Sequence, residues 1–334
     1  MPQKTQFIKD LKELKDKDPI SSPFLIKFSA VAVGKTGKPY MNIVFMDRTG
    51  ELEGRLWDDV NQHMGQAVRG AYVAVEGRCQ TYQGRRQIVV AKMQILREDE
   101  IEPKDYISES PVNPDELYAK LMGFVSTIKD PFCKALAESV FKDDQEIIDR
   151  YKRAPAAKTV HHAYRTGLLE HVVSITGILD FLAGHYGRSL NRDLLLLGGF
   201  FHDIGKLLEL SYDRVTDYTT EGKLIGHLVM GVELLDRKIR ELESQPGRLP
   251  GAFPEETKLL LKHIILSHHG QLDFGSPKRP KLLEALVIHM VDDLDSKMNA
   301  IRTFIEQDQT PGNWTGLSRQ YERFFYKPEW LRQE

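Results

Sequence analysis

The stretch Gly199-Phe200-Phe201-His202-Asp203-Ile204-Gly205-Lys206 places a histidine and a carboxylate inside an apolar, helix-like run. Burying such a pair is costly unless both groups find partners, and a bound cation would supply one. A lone histidine on an apolar helix face is usually a packed core residue. That interpretation weakens here because histidines recur in similar surroundings, at His171, His227, His268 and His269. Since imidazoles combined with carboxylates suit Zn, Mn, Fe or Co, the pattern indicates a metal site.

The composition is that of a globular protein. The length of 334 residues predicts about two domains. Hydrophobic residues make up 41% and charged residues 28%, which excludes a disordered or fibrous protein. No apolar run approaches the ~18 residues of a membrane span, and the N-terminus lacks the pattern of a signal peptide. With only Cys79 and Cys133 present, a disulfide framework is excluded. We therefore expect a cytoplasmic protein with no membrane partner.

Charge and histidines are distributed unevenly along the chain. Residues 1–97 carry 9 Lys and 7 Arg against 10 acidic residues, a net charge of +6, whereas the whole chain has a net charge of −2. Ten of the eleven histidines lie between His161 and His289. The basic N-terminal part predicts affinity for a polyanion, and a merely solvated charged surface is the alternative. We expect the chemistry in the second part of the chain.

The N-terminal part has the pattern of a small β-barrel. Helical spacing around 7–14 predicts a short first helix, and a second short helix is expected at 58–67. The candidate strands are Phe24–Val33, Tyr40–Met46, Glu51–Trp57, Ala71–Gln80 and Arg86–Leu96. Three strands, a helix and two strands within about 75 residues match the order of a five-stranded OB barrel.

One face of this barrel carries the residues expected to bind nucleic acid. If the alternating aliphatic and aromatic set of the second and third strands points inward, then Tyr40, Arg55 and Trp57 point outward. Exposed rings stack on bases, and cations contact phosphates. Loop cations extend this surface, and they are Lys35, Lys38, Arg85 and Arg86. The alternative is that Trp57 closes one end of the barrel and the loop cations are only solvated.

The rest of the chain reads as helices after a linker. The acidic segment 98–114 contains three prolines and predicts an extended linker. From 115 onward the periodic segments are helical, including 117–128 and 132–148. The expected fold is multidomain, α and β: an N-terminal helix and five-stranded OB β-barrel at 1–97, the linker at 98–114, and an all-α bundle with an aromatic tail at 115–334. For this tail, simple packing on its own domain is favoured over a subunit contact or an RNA path.

The histidine-containing strings resemble a known superfamily. His171, His202-Asp203 and a late Asp292 are similar to the HD-domain metal-dependent phosphohydrolases, which are all-helical, and His227 with His268-His269 matches its two-metal members. The longer strings at 161–171, 265–277 and 292–297 resemble the bacterial YhaM-type 3′–5′ exoribonucleases. That family pairs an N-terminal OB barrel with an HD domain in this order. The Gly-Tyr-Pro signature of the cyclic-dinucleotide branch is not found after the paired histidines, where Gly270–Pro277 stands instead.

The resemblance implies two divalent metal ions, with Mn²⁺ first and Fe²⁺, Co²⁺ or Mg²⁺ as alternatives. One ion would be held by His171, His202, Asp203 and Asp292. Asp203 would bridge to a second ion held by His227, His268 and His269. Asp293 is the rival of Asp292, and the Asp292-x-x-Asp295 spacing favours Asp292. Besides Asp203, the candidate catalytic residues, which would grip the phosphate or orient ligands, are His162, Arg165 and Lys206.

Two further expectations concern the histidines of the C-terminal half. Adjacent helical positions point about 100° apart, so His268 and His269 can bind one ion only if the helix ends there, which Gly270 allows. His263 is expected to be structural. His289 is expected to pack or to form a supporting hydrogen bond.

The expected function is a metal-dependent 3′–5′ exoribonuclease. It would degrade single-stranded RNA to nucleoside 5′-monophosphates through water activated by two metal ions, with single-stranded DNA as a second substrate. One alternative is an HD-type phosphohydrolase of small nucleotides with a regulatory OB domain. Another is a non-catalytic RNA-binding protein with a vestigial site. A homo-oligomer is left open.

Overall fold

A computed structural model describes residues 4–34, 37–158 and 163–331 of the chain. They form two compact units. The first contains the described residues up to Glu109 together with Tyr212–Thr216, and the second contains Ser110–Ser211 with those from Asp217 onward.

The first unit is a closed five-stranded barrel with two short helices. Its elements are α1 (Ile8–Glu13), β1 (Pro19–Val33), β2 (Pro39–Asp47), β3 (Gly50–Leu56), α2 (Val60–His63), β4 (Tyr72–Tyr82) and β5 (Arg85–Leu96). The strand order is β1-β2-β3-β5-β4, with β4 pairing back to β1. Only β3 and β5 pair in parallel among the described strands of this barrel, and this pairing completes its closure. The predicted OB barrel is confirmed.

The barrel core follows the predicted alternation. Ile43, Phe45, Leu52 and Leu56 are buried, and the helix α1 adds Ile8 and Leu11 to the same core. The second helix is shorter than the predicted 58–67. It starts late because Asp59 has a φ of 54°, a left-handed conformation that a helix does not tolerate.

The segment predicted as an extended linker packs against the barrel over most of its length. Tyr106 is fully buried, with its ring centroid 5.0 Å from that of Tyr72. Burying this ring holds the segment on the barrel, so residues 98–109 belong to the first unit. The predicted boundaries at 97 and 114 therefore differ from the observed division between Glu109 and Ser110.

The second unit is a helical domain with one small hairpin. Its helices are α3 (Pro114–Ser126), α4 (Pro131–Phe141), α5 (Gln145–Arg153), α6 (Gly167–Tyr186), α7 (Arg192–Phe201), α8 (Lys206–Glu209), α9 (Thr220–Leu224), α10 (His227–Glu243), α11 (Glu255–Ser267) and α12 (Leu283–Gln307). The strands β6 (Leu210–Ser211) and β7 (Asp217–Tyr218) pair with each other, so the domain is not entirely α. The stripe expected over 132–148 is two helices, because the Asp144 side chain accepts the Ile147 N–H and starts α5.

Helix α7 is the central element of this domain. Every residue from Leu194 to Phe201 is buried, and α4, α6, α11 and α12 all pack against it. A helix that is apolar on all sides is stable only when neighbours surround it. The burial of α7 therefore fixes the position of the His202-Asp203 pair that follows it.

One helical stretch among the described residues, Gly167–Ser189, is apolar and long enough to cross a bilayer by length and composition alone. This corrects the expectation that no segment approaches that length. Half of its most apolar window is buried inside the domain, because α6 packs on α3, α5, α7 and α12.

The aromatic tail contacts its own domain, as favoured above. Phe325 packs edge-on against Phe304 of α12, with centroids 6.1 Å apart. The Lys327 ammonium lies 3.0 Å from an Asp308 carboxylate oxygen, and both side chains are nearly buried. These contacts hold the tail against the end of α12.

Gly205 lies in the turn between α7 and α8, against the first turn of α10. A Cβ at this position would lie 2.0 Å from the His227 carbonyl oxygen and 2.7 Å from the Gly231 nitrogen. Since both contacts are with backbone atoms, neither can move without displacing the helix. We expect Gly205→Ala to lower the free energy of unfolding by about 1–3 kcal/mol, measured by urea unfolding followed by circular dichroism at 222 nm.

Gly177→Ala on α6 is the matched control, because a Cβ there meets nothing within 4 Å. A helical Gly→Ala change in open space should raise stability by about 1 kcal/mol. Equal stability of the two variants would contradict the close packing of α8 on α10.

Candidate metal centre and nucleic-acid interface

Seven predicted ligand residues come together in the helical domain from different elements. His171 lies in the second turn of α6, and His202 and Asp203 directly follow α7. His227 is the first residue of α10, His268 and His269 directly follow α11, and Asp292 lies on α12. Their ligand atoms form overlapping groups within 4.8 Å, which are His171 with His202 and Asp203, His202 with His268 and Asp292, and His227 with His268 and His269.

The Nδ1 atoms of the five histidines in these groups are all committed to hydrogen bonds. Those of His202 and His268 lie 2.8 Å from the carbonyl oxygens of Gly199 and Ile265. The Nδ1 of His269 lies 2.9 Å from the Phe274 carbonyl oxygen. A carbonyl oxygen only accepts, so these three nitrogens must donate and carry the proton.

Carboxylates accept from the remaining two rings. The Nδ1 of His171 is 2.8 Å from Asp295 Oδ2, and that of His227 is 3.1 Å from Glu209 Oε1. An ionised carboxylate likewise acts only as an acceptor. With Nδ1 donating in every ring, the neutral form of each ring presents the lone pair of Nε2, which is the form of imidazole that binds metals.

The Nε2 atoms face one another at short range. His171 Nε2 lies 3.3 Å from His202 Nε2, and His227 Nε2 lies 3.2 Å from His269 Nε2. Two lone pairs at this distance repel unless a cation or a proton lies near both. The geometry therefore favours positive charge at two neighbouring positions.

Asp203 lies between the two histidine pairs. Its Oδ2 is 3.3 Å from His202 Nε2, and its Oδ1 is 3.4 Å from His268 Nε2 and 3.6 Å from His227 Nε2. The Oδ1 atom is buried and accepts no hydrogen bond from the described residues. An orphaned carboxylate oxygen among imidazole nitrogens is suited to binding a metal ion.

Charge around Asp203 keeps it ionised. Burial alone would raise the pKa of this carboxyl, but the Lys206 ammonium and the His202 ring hold the pKa well below its usual range. Lys206 Nζ donates to Asp203 Oδ2 at 2.6 Å. Lys206 therefore contacts the carboxylate of Asp203, and its predicted role in gripping the phosphate or orienting ligands stays a prediction.

Asp292 faces the cluster and Asp293 does not join it. Asp292 Oδ1 lies 3.2 Å from His171 Nε2, whereas Asp293 is exposed and bonds Lys297 Nζ at 2.7 Å. Burial would lower the pKa of His171, but Asp292 and Asp295 raise it to about 9. Asp292 is thus the one of the two carboxylates that faces the histidines, and its role as a metal ligand stays a prediction.

The end of α11 explains how adjacent histidines reach the same place. The helix ends at Ser267, and Gly270 has a φ of +77°, so the chain turns immediately after His269. Burial lowers the pKa values of both His268 and His269, which favours the neutral rings that a metal needs. Gly270 is required for a second reason, since a Cβ there would lie 2.1 Å from the His289 ring.

The other predicted residues of this domain lie elsewhere or outside the described chain. Arg165 is half-buried before α6, and its carbonyl accepts the Ser110 N–H at 3.0 Å. Its contact with phosphate stays a prediction, and His162 lies outside the described residues. His263 Nε2 accepts the Lys281 N–H, and His289 Nδ1 donates to the His268 carbonyl, which are the expected supporting roles.

The sequence does not predict the groups that accept hydrogen bonds from the Nδ1 atoms of the five histidines. Asp295 was noted only for its spacing from Asp292, although residues three apart share a helix face. Glu209 was overlooked, and the signal for it was a carboxylate within the apolar run Leu207-Leu208-Glu209-Leu210. The carbonyls of Gly199, Ile265 and Phe274 carry no sequence signal.

These observations test whether the residues fit a metal pair. The donor set is imidazole and carboxylate, the Nε2 tautomers are fixed, and one buried oxygen lacks a donor. The set fits two transition-type divalent ions that share Asp203. The site opens on a cavity of about 280 Å³ whose described lining residues include Asp203, Lys206, His268, His269 and Asp292.

The barrel presents the second candidate site. Register pairs Ala30 with Asn42 and Ala32 with Tyr40 across β1 and β2, and Asn42 with Arg55 across β2 and β3. Tyr40 and Trp57 stack with ring centroids 4.7 Å apart and planes inclined by 24°. Trp57 is half exposed, so its ring does not close the barrel end. We define the outer face of β1–β3 around these residues as the aromatic face.

The aromatic face also contains a ring that the sequence analysis did not select. Phe28 pairs with Val44 in the same register and is exposed over 52% of its surface. The signal for it was the alternation of β1, which a register shift between Ile26 and Phe28 interrupts.

Two of the predicted cations are engaged within the barrel. Arg55 lies 2.7 Å from Glu53 Oε2, and Arg86 lies 2.9 Å from Asp16 Oδ1. Lys38 and Arg85 are exposed, and Lys35 lies outside the described residues. The binding role of all seven predicted residues stays a prediction.

Comparisons with known proteins agree with both domains. A family model for the HD domain matches residues 168–297, and one for an OB-fold nucleic acid binding domain matches residues 26–96. The fold and the site thus define a metal-dependent phosphohydrolase of the HD class joined to an OB barrel.

Two similar proteins of known name identify the family within this class. Over 311 residues the chain is 33% identical to the 3′-5′ exoribonuclease YhaM of Halalkalibacterium halodurans, covering 92% of this chain and 93% of the relative. It is 34% identical over 312 residues to the protein of the same name from Oceanobacillus iheyensis, covering 93% and 94%. The chain belongs to the YhaM family. Among solved structures, the mitochondrial single-stranded DNA binding protein Rim1 of S. cerevisiae matches 25% of this chain and 98% of its own, with 15% identity and a TM-score of 0.22.

Metal content can separate Asp292 from Asp293. Loss of a ligand carboxylate should cost at least as much as loss of a supporting group, about 10–100-fold in metal affinity. We therefore expect Asp292→Ala to retain fewer Mn²⁺ ions per chain than the unchanged protein after equilibrium dialysis and elemental analysis. Asp293→Ala is the matched control and should retain as many ions as the unchanged protein. The reverse order would show that Asp293 is the ligand.

Proposed function

We propose that this protein is a metal-dependent enzyme that removes nucleotides from the 3′ end of single-stranded RNA and releases nucleoside 5′-monophosphates. Single-stranded DNA is proposed as a second substrate. The observation that carries this proposal is the convergence of the Nε2 atoms of His202, His227 and His268 on the buried carboxylate of Asp203. The barrel with its aromatic face, and the relatives named 3′-5′ exoribonuclease, support a nucleic acid as the substrate.

The residues of the site have separate tasks in this reaction. When bound, divalent cations, with Mn²⁺ proposed first, activate water and neutralise charge on the phosphate. Asp203 would be the carboxylate that the two cation positions share, and Lys206 holds it ionised and in place. One position would be completed by His171, His202 and Asp292, and the other by His227, His268 and His269.

The chemical step is a hydrolysis. Water attacks the phosphorus of the last phosphodiester, and the bond between that phosphorus and the 3′ oxygen of the preceding nucleotide breaks. The 3′ oxygen takes up a proton and becomes the new RNA end, while the terminal nucleotide leaves with its phosphate. The aromatic face of the barrel would bind the remaining strand through stacking on Tyr40 and Trp57.

Asp203→Asn tests the catalytic half of the proposal. The amide keeps the shape of the side chain but removes the charge that both cation positions share, so we expect cleavage to be abolished and RNA affinity to change little. RNA labelled at its 5′ end is followed over time with Mn²⁺, with Mg²⁺ and with chelator. The unchanged protein should give a metal-dependent ladder that shortens by one nucleotide at a time.

Asp213→Asn, which changes an exposed carboxylate outside the cluster, is the matched control and should cleave normally. Full activity of Asp203→Asn would contradict the proposed mechanism. If the unchanged protein hydrolyses free nucleotides but leaves RNA intact in every metal, the alternative of a small-nucleotide phosphohydrolase with a regulatory barrel is correct.

Trp57→Ala tests the binding half of the proposal. Stacking of a base on an aromatic ring contributes about 1–3 kcal/mol, so we expect the dissociation constant for single-stranded RNA to rise about 10-fold. Fluorescence anisotropy in the non-cleaving Asp203→Asn background measures it. Met64→Ala, which removes an exposed apolar side chain after α2, serves as the control. An unchanged dissociation constant for Trp57→Ala would remove the aromatic face from RNA binding.

A further inference from the structure

A short turn after the paired histidines has two connections to the metal site. Residues Leu272–Phe274 form a 3-10 turn. Its backbone is closed by hydrogen bonds from the Phe274 N–H to the Gln271 carbonyl and from the Gly275 N–H to the Leu272 carbonyl, at 3.2 and 3.0 Å. The turn therefore presents its side chains from a defined backbone.

The first connection is through the backbone of Phe274. Its carbonyl oxygen lies 2.9 Å from Nδ1 of His269 and accepts the ring proton. This bond fixes the tautomer in which His269 presents Nε2 to His227. The position of Phe274 is therefore tied to the orientation of a proposed metal ligand.

The second connection is through the Phe274 ring. Phe274 lines the cavity of about 280 Å³ together with Asp203, His268, His269 and Asp292. It is the one apolar side chain among the described residues that line this cavity, since the others are acidic, basic, hydroxyl or imidazole groups. The residue is nevertheless 68% exposed, so its ring contributes little to the core.

We propose that the Phe274 ring stacks on the base of the 3′-terminal nucleotide and so positions the terminal phosphodiester at the metal centre. This inference rests on the proposed exoribonuclease function and assigns it a residue that recognises the substrate. A cavity near the lower end of the usual ligand-pocket range, about 300–1,000 Å³, takes one nucleotide rather than a longer segment. A planar aromatic ring accepts any base, because every base has a π-face.

The polar side chains around Phe274 are engaged in hydrogen bonds of their own, so Phe274 is the residue that remains to contact a base. The imidazoles of His268 and His269 are committed through Nδ1 to carbonyl oxygens and through Nε2 to the centre. Lys206 bonds Asp203, and His289 bonds the His268 carbonyl. A base entering next to a phosphate at the cluster finds an apolar surface on Phe274.

The experiment compares two RNAs that share a 5′ label and sequence and differ only at the last residue. One ends in adenosine and the other in a stable abasic ribose. Since stacking favours the base by about 10-fold, the unchanged protein should remove the adenosine residue about 10-fold faster in kcat/KM than the abasic residue. Phe274→Ala should remove both at the slow abasic rate, and Phe274→Tyr should restore the preference.

Leu272→Ala is the matched control. Leu272 lies on the same turn and is exposed over 55% of its surface, but it is not among the residues lining the cavity. This variant should keep the full preference for the base. A role limited to supporting His269 would slow removal of both ends equally in Phe274→Ala, and that result would overturn the inference.

A binding measurement gives a readout independent of turnover. In Mn²⁺, the unchanged protein should bind adenosine 5′-monophosphate about 10-fold more tightly than ribose 5-phosphate by calorimetry, and Phe274→Ala should bind both alike. A retained preference in Phe274→Ala would also overturn the inference. If the unchanged protein leaves both RNAs intact, the proposed function is wrong and this inference falls with it. If it shortens both while Phe274→Ala keeps the preference, only the inference is wrong.

Discussion

The carboxylate of Asp203 is the group on which the helical domain depends. It is nearly fully buried, it is ionised, and one of its oxygens has no donor among the described residues. An unpaired charge in such a place is unfavourable unless positive charge surrounds it. Lys206 supplies one positive partner for this carboxylate, and the converging imidazoles form groups that could hold cations as further partners. The burial of α7, which delivers Asp203 to this place, is thus inseparable from the chemistry of the site.

Helix ends fix the orientation of two of the histidine rings at the candidate metal centre. The last turn of a helix leaves carbonyl oxygens without intrahelical donors. After α7 and α11, the rings of His202 and His268 take up such carbonyls, those of Gly199 and Ile265. Each hydrogen bond gives a free carbonyl oxygen a donor and also fixes the tautomer of the histidine ring that donates. Placing candidate ligands just after helices therefore gives rigid rings without additional side chains.

Some parts of the fold and of the candidate ligand set could be predicted from the sequence, and others could not. The strands of the barrel and the convergence of His171, Asp203 and Asp292 follow from periodicity and from motif resemblance. The boundary at Glu109 did not, because the burial of Tyr106 depends on contacts with Tyr72 that are distant in the chain. Glu209 was likewise missed, because its role is set by the approach of α10.

The ion pairs within the barrel have a consequence for how it meets a polyanion. Arg55 and Arg86 are already neutralised by Glu53 and Asp16, which belong to the same barrel. A guanidinium that exchanges a carboxylate for a phosphate gains little net ion-pair energy, and each phosphate contact that does form makes binding weaken with salt. Contact through the Tyr40–Trp57 stack has no such dependence. In the proposed function, the barrel would therefore hold a strand partly through its bases, and this part of the contact would persist at ionic strengths that weaken binding to a purely basic surface.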